Sequence, residues 1–421
     1  MNILILHKIA YDKIQYHTGI DHAVHDVTYV GTGERLKTIP ADLRCTRLVR
    51  EDRGNDQVTE SVLAAVATLP GSPRFDRVIS VSEYELLDAA RVREHLQVPG
   101  PSLYEARLVR DKVAMKAAVS LAGIAVPRFL PLGALADAPA RLAALPWTGR
   151  TVLKPTHGAG SEDVVIFDSA GACLRALQYR TTGVKALAGA AAAVAGFELE
   201  EFVEGDILHL DGLVQDGVVK AVIASRYVGN CHQYAANRPM GSSQFDLTAA
   251  QREWVQGVIR AVRISQGAFH LEVIDSPRGY VFLEIGNRTG GGAAPLTTSL
   301  AWGADLQTLE LELLIGAPSR DLGTLKRQEL FYGWCLFPGH RHAQGMWTAP
   351  LAALERLRAD PRVMSWYQRD ADAVFDDMPE YELNLAPLAA LVSATSAAAV
   401  RQVIVDMMAA VTWTVREPAI A

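Results

Sequence analysis

Two glutamates close together in the sequence stand in short apolar stretches that suit β-strands. Glu272 lies in AFHLEVI (268–274), Glu284 lies in YVFLEI (280–285), and the DSPRG between them (275–279) is a strong turn signal. A symmetric antiparallel hairpin would place the two glutamates opposite each other on one face. Like charges directly opposed across a β-ladder are destabilising, so this pair needs a physical explanation.

Two explanations fit such a pair: a divalent cation between the carboxylates, or one carboxyl group that stays protonated. Side-chain alternation predicts that His270 shares a face with Glu272, and Phe282 with Glu284. Mg²⁺ suits the first explanation because it prefers a few carboxylates together with phosphate oxygens and water. The alternative is a slip in strand register, which would leave each glutamate as a solvated strand residue.

A lysine at the end of a strand precedes a glycine-containing loop. Lys154 ends the strand-like TVLK and is followed by PTHGAGS (155–161). Such a loop lets backbone N–H groups approach phosphates, and a nearby lysine supplies positive charge. The pattern is not a Walker A motif, which needs Gly-Lys-Ser/Thr together, and a plain hairpin loop is the alternative. Lys112, in RDKVAM, has the alternative reading of a surface lysine on a helix.

An acidic strand end forms the next candidate. In FELEEFVEGD (197–206), Glu200 and Glu201 precede Phe202 and Val203, and a glycine then turns the chain. An acidic residue beside exposed strand-like backbone can bind the amino group of adenine. The alternative is an ordinary solvated strand end.

The elements that position these residues follow from the apolar pattern. The runs ILIL (3–6) and VISV (78–81) predict strands, and EYELLDAARVREHL (83–96) predicts an amphipathic helix. Alternation of strand and helix indicates a small doubly wound domain with a parallel sheet. Helical periodicity recurs at 251–264, and residues from about 326 predict a further α+β module.

Composition limits the possible classes of protein and partner. The chain has 421 residues, of which 49% are apolar and 21% are charged, as in a globular protein. The net charge of −6, with no basic block, argues against a nucleic-acid partner. MNILILHKIA predicts a first strand rather than a signal peptide, and the weakly apolar run 187–197 is too short to span a membrane. The four cysteines are scattered, as reduced thiols are, so we expect a cytoplasmic protein without a membrane partner.

Together and in this order, these motifs resemble the ATP-grasp superfamily. The resemblance rests on Lys112 in DKVAM, Lys154 before the glycine loop, EEFVEG followed by HLDG, and Glu272 twelve residues before a second glutamate with an arginine behind it. It spans about residues 78–300. Within the superfamily, the chain is similar to the carboxylate–amine ligases that include L-amino acid (dipeptide) ligases.

The resemblance implies an α/β and α+β multidomain chain with the ATP-grasp fold. It would have an N-terminal doubly wound α/β domain at 1–108 and an ATP-grasp domain at 109–325, with a lid subdomain at about 125–203. A C-terminal α+β lobe would follow at 326–421. Relatives of this architecture are often dimers, so a homodimer is a further expectation.

The resemblance also implies which residues bind ATP. Lysines would contact the phosphates, a glycine loop would close over them, an acidic strand end would hold the adenine, and Asp206 or His209 would lie near the ribose. The residues that carry these expectations are Lys112, Lys154, His157, Gly158, Gly160, Ser161, Glu200, Glu201, Phe202, Val203, Asp206 and His209.

A metal site and two catalytic residues are implied in the same way. Glu272 and Glu284 would bind Mg²⁺, with Mn²⁺ as an alternative, and Glu284 and Arg288 would be catalytic. Many relatives have asparagine two residues after the second glutamate, whereas this chain has Gly286 there and Asn287 beside it. Asn287 is therefore a further candidate ligand, and the number of metal ions stays open.

Related ligases place a substrate-contacting loop where this chain has residues 226–243. Arg226, His232 and Arg238 are thus candidates for binding a substrate carboxylate, and an ordinary solvated loop is the alternative for each. The resemblance also implies that Arg288 would face the transferring phosphoryl group or the substrate carboxylate, and Gly291 would let the backbone come close to a bound acid.

The expected reaction is ATP-dependent amide formation between small-molecule substrates. A carboxylic acid, expected to be an amino acid, would be activated as an acyl phosphate and joined to an amine, with release of ADP and phosphate. The glycine loop and the alanine-rich stretch 183–196 would then move as lids that exclude water. The alternatives are an ATP-dependent carboxylase that uses bicarbonate and a nucleotide-binding regulator that has lost catalysis.

Overall fold

The N-terminal chain forms a parallel four-stranded sheet, as the sequence predicts for a doubly wound domain. The computed structural model describes residues 1–52, 57–133, 145–188, 191–341, 344–370 and 373–415, with the backbone alone at 191–193. The strands are β1 (Asn2–Leu6), β2 (Asp26–Gly31), β3 (Thr46–Val49) and β4 (Arg77–Ile79), in the order β3–β2–β1–β4. The helices are α1 (Tyr11–Ile14), α2 (Gly33–Leu36), α3 (Val58–Val66), α4 (Leu86–Leu96) and α5 (Leu103–Leu108).

Both faces of this sheet are buried, which explains the continuous apolar run of β1. Ile3 and Ile5 pack into one core, and Leu4 and Leu6 pack into the core on the other face. The first core is completed by Leu311, from the helix Leu306–Ile315 much further along the chain. The N-terminal domain therefore shares its packing with the body of the protein.

The next sheet lies within the segment predicted as a lid. Its antiparallel strands are β5 (Phe129–Pro131), β6 (Thr151–Pro155), β7 (Val165–Phe167) and β8 (Phe197–Glu201), in the order β5–β8–β6–β7, and helices α6 (Lys112–Leu121) and α7 (Ala170–Gln178) belong to the same part of the chain. The alanine-rich stretch forms 3₁₀ turns at Lys185–Leu187 and Ala191–Gly196 rather than one helix. Its Val184 and Leu187 are buried in the core of this subdomain, and residues 189–190 lie outside the described chain.

A larger sheet of eight strands runs through the rest of the molecule. Its strands are β9 (Asp206–Gln215), β10 (Val218–Val228), β11 (Met240–Phe245), β12 (Gln266–Ser276), β13 (Gly279–Gly286), β14 (Phe331–Phe337), β16 (Val363–Gln368) and β17 (Leu388–Ala394), in the order β13–β12–β9–β10–β11–β14–β17–β16. The remaining strands, β15 (Gly345–Thr348) and β18 (Thr412–Val415), pair with each other. The helices that accompany them are α8 (Cys231–Ala235), α9 (Ala249–Ala261), α10 (Ala294–Trp302), α11 (Leu306–Ile315), α12 (Leu351–Arg358) and α13 (Ala397–Ala410).

The residues after 326 extend this sheet rather than starting a new one. β14 pairs antiparallel with β11, with Met240 opposite Leu336. The C-terminal strands nevertheless have a core of their own with α13, in which Val400 and Ile404 are fully buried. Sequence alternation cannot show such a continuation, because the pairing joins strands almost 90 residues apart.

One face of the large sheet is covered by α6 and α9. Met115 and Val119 of α6 and Val258 of α9 pack there against Phe282 and other apolar residues of the sheet. Asp111 accepts hydrogen bonds from the backbone N–H groups of Val113 and Ala114, and this cap fixes the start of α6. The opposite face of β12 and β13 is left to form a pocket. Among the described residues, no helix is long and apolar enough to cross a bilayer.

Candidate active site

The two glutamates of the β12–β13 hairpin are directly opposed, as the sequence predicts. Glu272 pairs in register with Glu284, but the strands extend further into the turn than expected, to Ser276 and from Gly279. A register shift next to Glu272 inserts Leu283 as an extra residue. A β-bulge of this kind changes which side chains share a face, and bulges are common beside active sites.

The bulge overturns one detail of the predicted hairpin. Phe282 does not share a face with Glu284 but is buried in the core beneath α6, whereas Leu283 and Glu284 both line the pocket. Simple alternation fails here because two residues of β13 occupy the place of one. The opposition of the glutamates survives because of the bulge and not because of a symmetric hairpin.

Lys112 and the opposed glutamates form what we call the front cluster: Lys112, Glu272 and Glu284. The Lys112 Nζ lies 2.9 Å from Glu284 Oε2 and donates a hydrogen bond of 2.8 Å to the Gly158 carbonyl oxygen. Burial alone would raise the pKa of Glu284, but the ammonium groups of Lys112 and Lys154 outweigh it and hold this pKa at about 2. The side chain of Glu284 is 29% exposed, so a ligand can reach it.

A second set of charges, the rear cluster, consists of Lys116, Lys154, Glu198 and Glu200. Lys154 Nζ lies 2.7 Å from Glu200 Oε1, and Lys116 Nζ donates to Glu198 Oε1 at 2.6 Å and also to Glu200. Burial and the neighbouring Glu200 raise the pKa of Glu198 to about 7. For Glu200, burial is outweighed by the two lysines, so its pKa is lowered.

The sequence prediction missed Lys116 and Glu198. Each has a local signal: Lys116 follows Lys112 by one helical turn, and Glu198 shares a strand face with Glu200. Their pairing joins residues 82 positions apart, which neither signal reveals. Glu200 Oε1 is not available for the predicted contact with adenine, because this oxygen already accepts hydrogen bonds from two lysines.

One pocket brings most of the predicted nucleotide and metal residues together. It lies between the lid sheet and the hairpin face of the large sheet. The sequence-predicted residues that line it are Lys112, Lys154, Gly158, Gly160, Ser161, Glu200, Glu201, Phe202, Val203, His232, Glu272 and Glu284. The pocket thus presents lysines, a glycine loop and opposed carboxylates to one volume.

The glycine loop has an unusual backbone. Gly160, Ser161 and Asp163 have φ angles of +62°, +61° and +56°, in the left-handed region. This conformation costs about 1–2 kcal/mol for each residue other than glycine. A loop that combines such residues with neighbouring right-handed ones can form a concave anion-binding site from its backbone N–H groups. The predicted His157 does not line the pocket, and its ring is hydrogen-bonded to Thr156 instead.

Asp206 and Arg226, predicted near ribose and substrate, are paired with each other. Arg226 donates to Asp206 Oδ2 at 2.6 Å and to Asp275 Oδ2 at 2.6 Å, and none of the three residues lines the pocket. Arg226, on β10, therefore links the start of β9 to the end of β12. Arg238 is exposed and does not line the pocket. Of the three substrate candidates predicted within residues 226–243, His232 is the one that lines it.

Asn287 does not face the carboxylate pair, which corrects its assignment as a metal ligand. Its Nδ2 donates hydrogen bonds to the carbonyl oxygens of Gln266 and Ala268, at 3.1 and 2.7 Å. Strand alternation explains the difference, because Ile285 and Gly286 lie between Glu284 and Asn287, so Asn287 points away from the face of Glu284. The candidate ligands are thereby reduced to Glu272 and Glu284.

His209, predicted near the ribose, belongs instead to a buried network. Its Nδ1 lies 2.6 Å from Asp211 Oδ2, and the other Asp211 oxygen lies 2.8 Å from Nδ1 of His270. Burial alone would raise the Asp211 pKa, but the two imidazoles hold it far below its ordinary value. Burial would lower the pKa of His270, yet Asp211 and Glu272 raise it to about 10.

This network explains the first glycine of the run TGGG at 289–292. A Cβ on Gly290 would lie 2.5 Å from Asp211 Oδ1 and 2.8 Å from His270 Nδ1, so only glycine fits. His270 Nε2 in turn lies 3.8 Å from Glu272 Oε1. The network therefore supports the carboxylate pair from behind. Gly291, the predicted substrate contact, is exposed, with open space where a side chain would be.

Arg288, the predicted catalytic arginine, is paired with a residue of the N-terminal domain. Its Nε donates to Glu83 Oε2 at 2.7 Å, and Arg110 donates to the other Glu83 oxygen at 3.3 Å. Arg110 also donates to the His157 carbonyl oxygen at 3.1 Å. Arg288 lies outside the pocket lining in this arrangement. The sequence does not predict the roles of Glu83 and Arg110, because each looks like an ordinary charged residue near the end of a helix.

Comparison with known proteins agrees with this architecture. No protein-family model matches the chain. Over 227 residues it is 30% identical to the L-arginine-specific L-amino acid ligase of Bacillus subtilis, and the match covers 52% of this chain and 52% of that protein. The match thus spans about half the length of this curated relative.

Solved structures are similar over nearly the whole chain. The L-amino acid ligase from Bacillus licheniformis has a TM-score of 0.68 at 18% identity, with 99% of each chain covered. The carboxyaminoimidazole ribonucleotide synthase from Aspergillus clavatus in complex with ATP has a TM-score of 0.65 at 13% identity, covering 97% of this chain and 98% of that one. Biotin carboxylase from Campylobacter jejuni gives 0.60 at 15%, with 98% and 92% covered. The chain is thus similar to an L-amino acid ligase in sequence over about half its length, and it shares the fold of these ligases over nearly its whole length.

Proposed function

We propose that the protein is an ATP-dependent ligase that joins a small carboxylic acid, an amino acid, to an amine. The observation that carries this proposal is the front cluster, in which Glu272 opposes Glu284 while Lys112 reaches both Glu284 and the glycine loop. The similarity to L-amino acid ligases favours amide formation over other ATP-grasp chemistry.

In this proposal, ATP lies between the lid sheet and the hairpin. Adenine contacts the backbone of Glu201 to Val203, at the edge that lines the pocket, with the rear cluster behind it. Lys112 and Lys154 meet the phosphates, and the glycine loop closes over them. Lys112 must then exchange part of its contact with Glu284 for phosphate oxygens.

Glu272 and Glu284 fit a divalent cation by their chemistry. They are opposed like charges whose side chains are 14% and 29% exposed, and Glu284 is held ionised by neighbouring lysines. Mg²⁺ bound by them, or Mn²⁺ in its place, would neutralise charge on the phosphates of the nucleotide. Asn287 contributes no ligand in this proposal.

The protein's own residues then position the reaction. A carboxylate oxygen of the acid forms a bond to the γ-phosphorus while the bond from that phosphorus to the β–γ bridging oxygen breaks, which gives an acyl phosphate and ADP. Lysines and an arginine, together with the cation that the glutamates would hold, suffice for this step, because phosphoryl transfer needs in-line positioning and charge stabilisation rather than covalent help. Arg288 reaches the transferring group only if its pair with Glu83 opens.

Amide formation completes the proposed cycle. The amine nitrogen forms a bond to the acyl carbon, the bond from that carbon to the phosphate oxygen breaks, and the nitrogen loses a proton. The products are an amide and inorganic phosphate. Water would hydrolyse the acyl phosphate, so the pocket must be closed during both steps.

The test is an assay of product formation with defined pools. The protein is incubated with Mg²⁺ and ATP together with amino-acid pools or bicarbonate, and released phosphate and new masses are measured. We expect phosphate release that depends on two amino compounds and a product mass equal to their sum minus water. Glu284→Gln, with the exposed Glu253→Gln as a matched control, should abolish the signal.

Other results would decide against the proposal. Turnover that depends on bicarbonate alone would identify a carboxylase, as among some structural relatives. ATP binding without turnover in any pool would identify a nucleotide-binding regulator. Normal turnover of Glu284→Gln would remove the front cluster from the mechanism.

A further inference from the structure

A short segment of the C-terminal chain lies against the glycine loop and against Gly292. We call it the strap: Glu380, Tyr381 and Glu382, between β16 and β17. The Glu380 carboxylate accepts hydrogen bonds from the backbone N–H groups of Tyr381 and Glu382, at 2.8 and 2.9 Å. The strap is therefore held in a fixed conformation by one of its own side chains.

The strap is anchored on two separate parts of the molecule. Tyr234 of α8 donates to the Glu380 carbonyl oxygen at 2.6 Å, and Glu382 forms an ion pair with Lys13 of the N-terminal domain. α8 also carries His232, which lines the pocket. The strap thus connects the N-terminal domain with the predicted substrate side of the pocket.

Tyr381 lies between the two glycine-rich loops of the site. Its hydroxyl donates a hydrogen bond of 3.1 Å to the Gly160 carbonyl oxygen, in the glycine loop. On its other side, a Cβ on Gly292 would lie 3.2 Å from the Tyr381 carbonyl oxygen and 3.6 Å from its Cβ. Its ring centroid lies 5.0 Å from that of Tyr234.

From these contacts, and resting on the proposed function, we propose that Tyr381 is a positioning residue that holds the glycine loop closed over the acyl phosphate. The Tyr381 hydroxyl is hydrogen-bonded to the glycine loop, and its chain neighbours are anchored to α8 and to Lys13, so loss of the hydroxyl should loosen the loop. Closure matters because an open loop admits water, which would hydrolyse the intermediate without forming an amide.

The hydroxyl alone can be tested because phenylalanine keeps the ring. In Tyr381→Phe, we expect amide hydrogens of residues 157–163 to exchange about two- to tenfold faster, since one ordinary hydrogen bond is lost. The ratio of phosphate released to amide formed should rise by a similar factor, while the KM for ATP changes little. Tyr179→Phe is the matched control, since Tyr179 is 74% exposed, and should match the unaltered protein.

The two measurements separate this inference from the proposed function. Hydrogen exchange is measured on the protein alone, so it tests the loop contact even if the unaltered protein makes no amide. Unchanged exchange in Tyr381→Phe would overturn the contact. Faster exchange with an unchanged ratio of phosphate to amide would overturn the role in excluding water. An unchanged thermal midpoint confirms that a general loss of folding is not responsible.

Discussion

Two lysine–glutamate clusters lie side by side at the edge of the pocket and differ in their access to solvent. Lys112 of the front cluster and Lys116 of the rear cluster are one helical turn apart on α6. The rear side chains are 0–6% exposed, whereas Glu284 of the front cluster is 29% exposed. Identical residue types therefore meet two different environments within one turn of helix.

The difference in access assigns different tasks to the two clusters. In the rear cluster, two lysines neutralise two almost completely buried glutamates, so the charges hold the lid sheet against α6, although Lys154 and Glu200 also border the pocket. In the front cluster, the ion pair of Lys112 and Glu284 can be opened by a phosphate and a cation that compete for its partners. Removing one member of a fully buried pair leaves an uncompensated buried charge, whereas Lys112 keeps its hydrogen bond to the Gly158 carbonyl oxygen when the partly exposed Glu284 is changed.

The largest expected effect breaks the front cluster. Glu284→Gln keeps the shape of the side chain but removes the charge opposite Glu272, so we expect turnover to fall at least about a thousandfold, since a catalytic metal ion contributes several kcal/mol. The free energy of unfolding should change by less than about 1 kcal/mol. Steady-state phosphate release and urea denaturation measure the two quantities. A variant that unfolds easily and still turns over would reverse the assignment of the clusters.

The next effect breaks the rear cluster. Lys116→Met leaves Glu198 and Glu200 with one lysine between them in a buried site, so the free energy of unfolding should fall by about 3–5 kcal/mol. Urea denaturation measures this loss. Lys37→Met is the matched control, because Lys37 is 70% exposed and its loss should cost less than about 1 kcal/mol. Equal stability of the two variants would contradict a structural rear cluster.

A third change acts on the front cluster from behind. Asp211→Asn removes the charge that holds His209 and His270, and groups that orient metal ligands typically contribute about 10–100-fold to metal affinity or activity. We expect the Mg²⁺ concentration for half-maximal turnover to rise by at least about tenfold. A titration of turnover with Mg²⁺ at saturating ATP measures it. If only the maximal rate fell, the network would act on the chemistry rather than on metal binding.

The smallest effect is a change in pH dependence. Because burial raises the pKa of Glu198 to about 7, the folded protein keeps its proton at pH values where the unfolded chain loses it. The contribution of Glu198 to the free energy of unfolding is therefore fully present below about pH 4 and is lost as the pH rises to 7. Glu198→Gln cannot titrate, so its stability relative to the unaltered protein should improve between pH 5 and 7 and then stay level.

Urea denaturation at pH 5, 6, 7 and 8 measures this slope. The slope matters rather than the absolute stability, since the variant also changes a hydrogen bond with Lys116. Glu253→Gln, at an exposed site, should run parallel to the unaltered protein. A constant difference between Glu198→Gln and the unaltered protein would show that the carboxyl group does not titrate in this range.

Local patterns predict the front cluster better than the rest of the site. The strands that carry Glu272 and Glu284 alternate with period two, and the turn between them is short, so their pairing is almost local. Lys112 and Lys154 stand at the start of a helix and near the end of a strand. Each of these features can be recognised from a few consecutive residues of the sequence.

The rest of the site depends on distant pairing. Lys116 meets Glu198 across 82 residues, and Asp211 meets His270 across 59, so neither contact follows from a local period. A bulge at Leu283 also changes which side chains share a face within one strand. The doubly wound domain was predicted correctly, but the extension of the large sheet past residue 326 was not.

The central claim is that the acid accepts the γ-phosphoryl group within this pocket. Its most direct test uses an acid found in the pooled assay and labelled with ¹⁸O in its carboxylate. The released phosphate is then analysed by mass spectrometry. We predict one ¹⁸O atom per phosphate. A labelled carboxylate oxygen binds the phosphorus in the acyl phosphate and leaves with the phosphate when the amine attacks the acyl carbon. Phosphate without ¹⁸O, with normal amide yield, would contradict the claim.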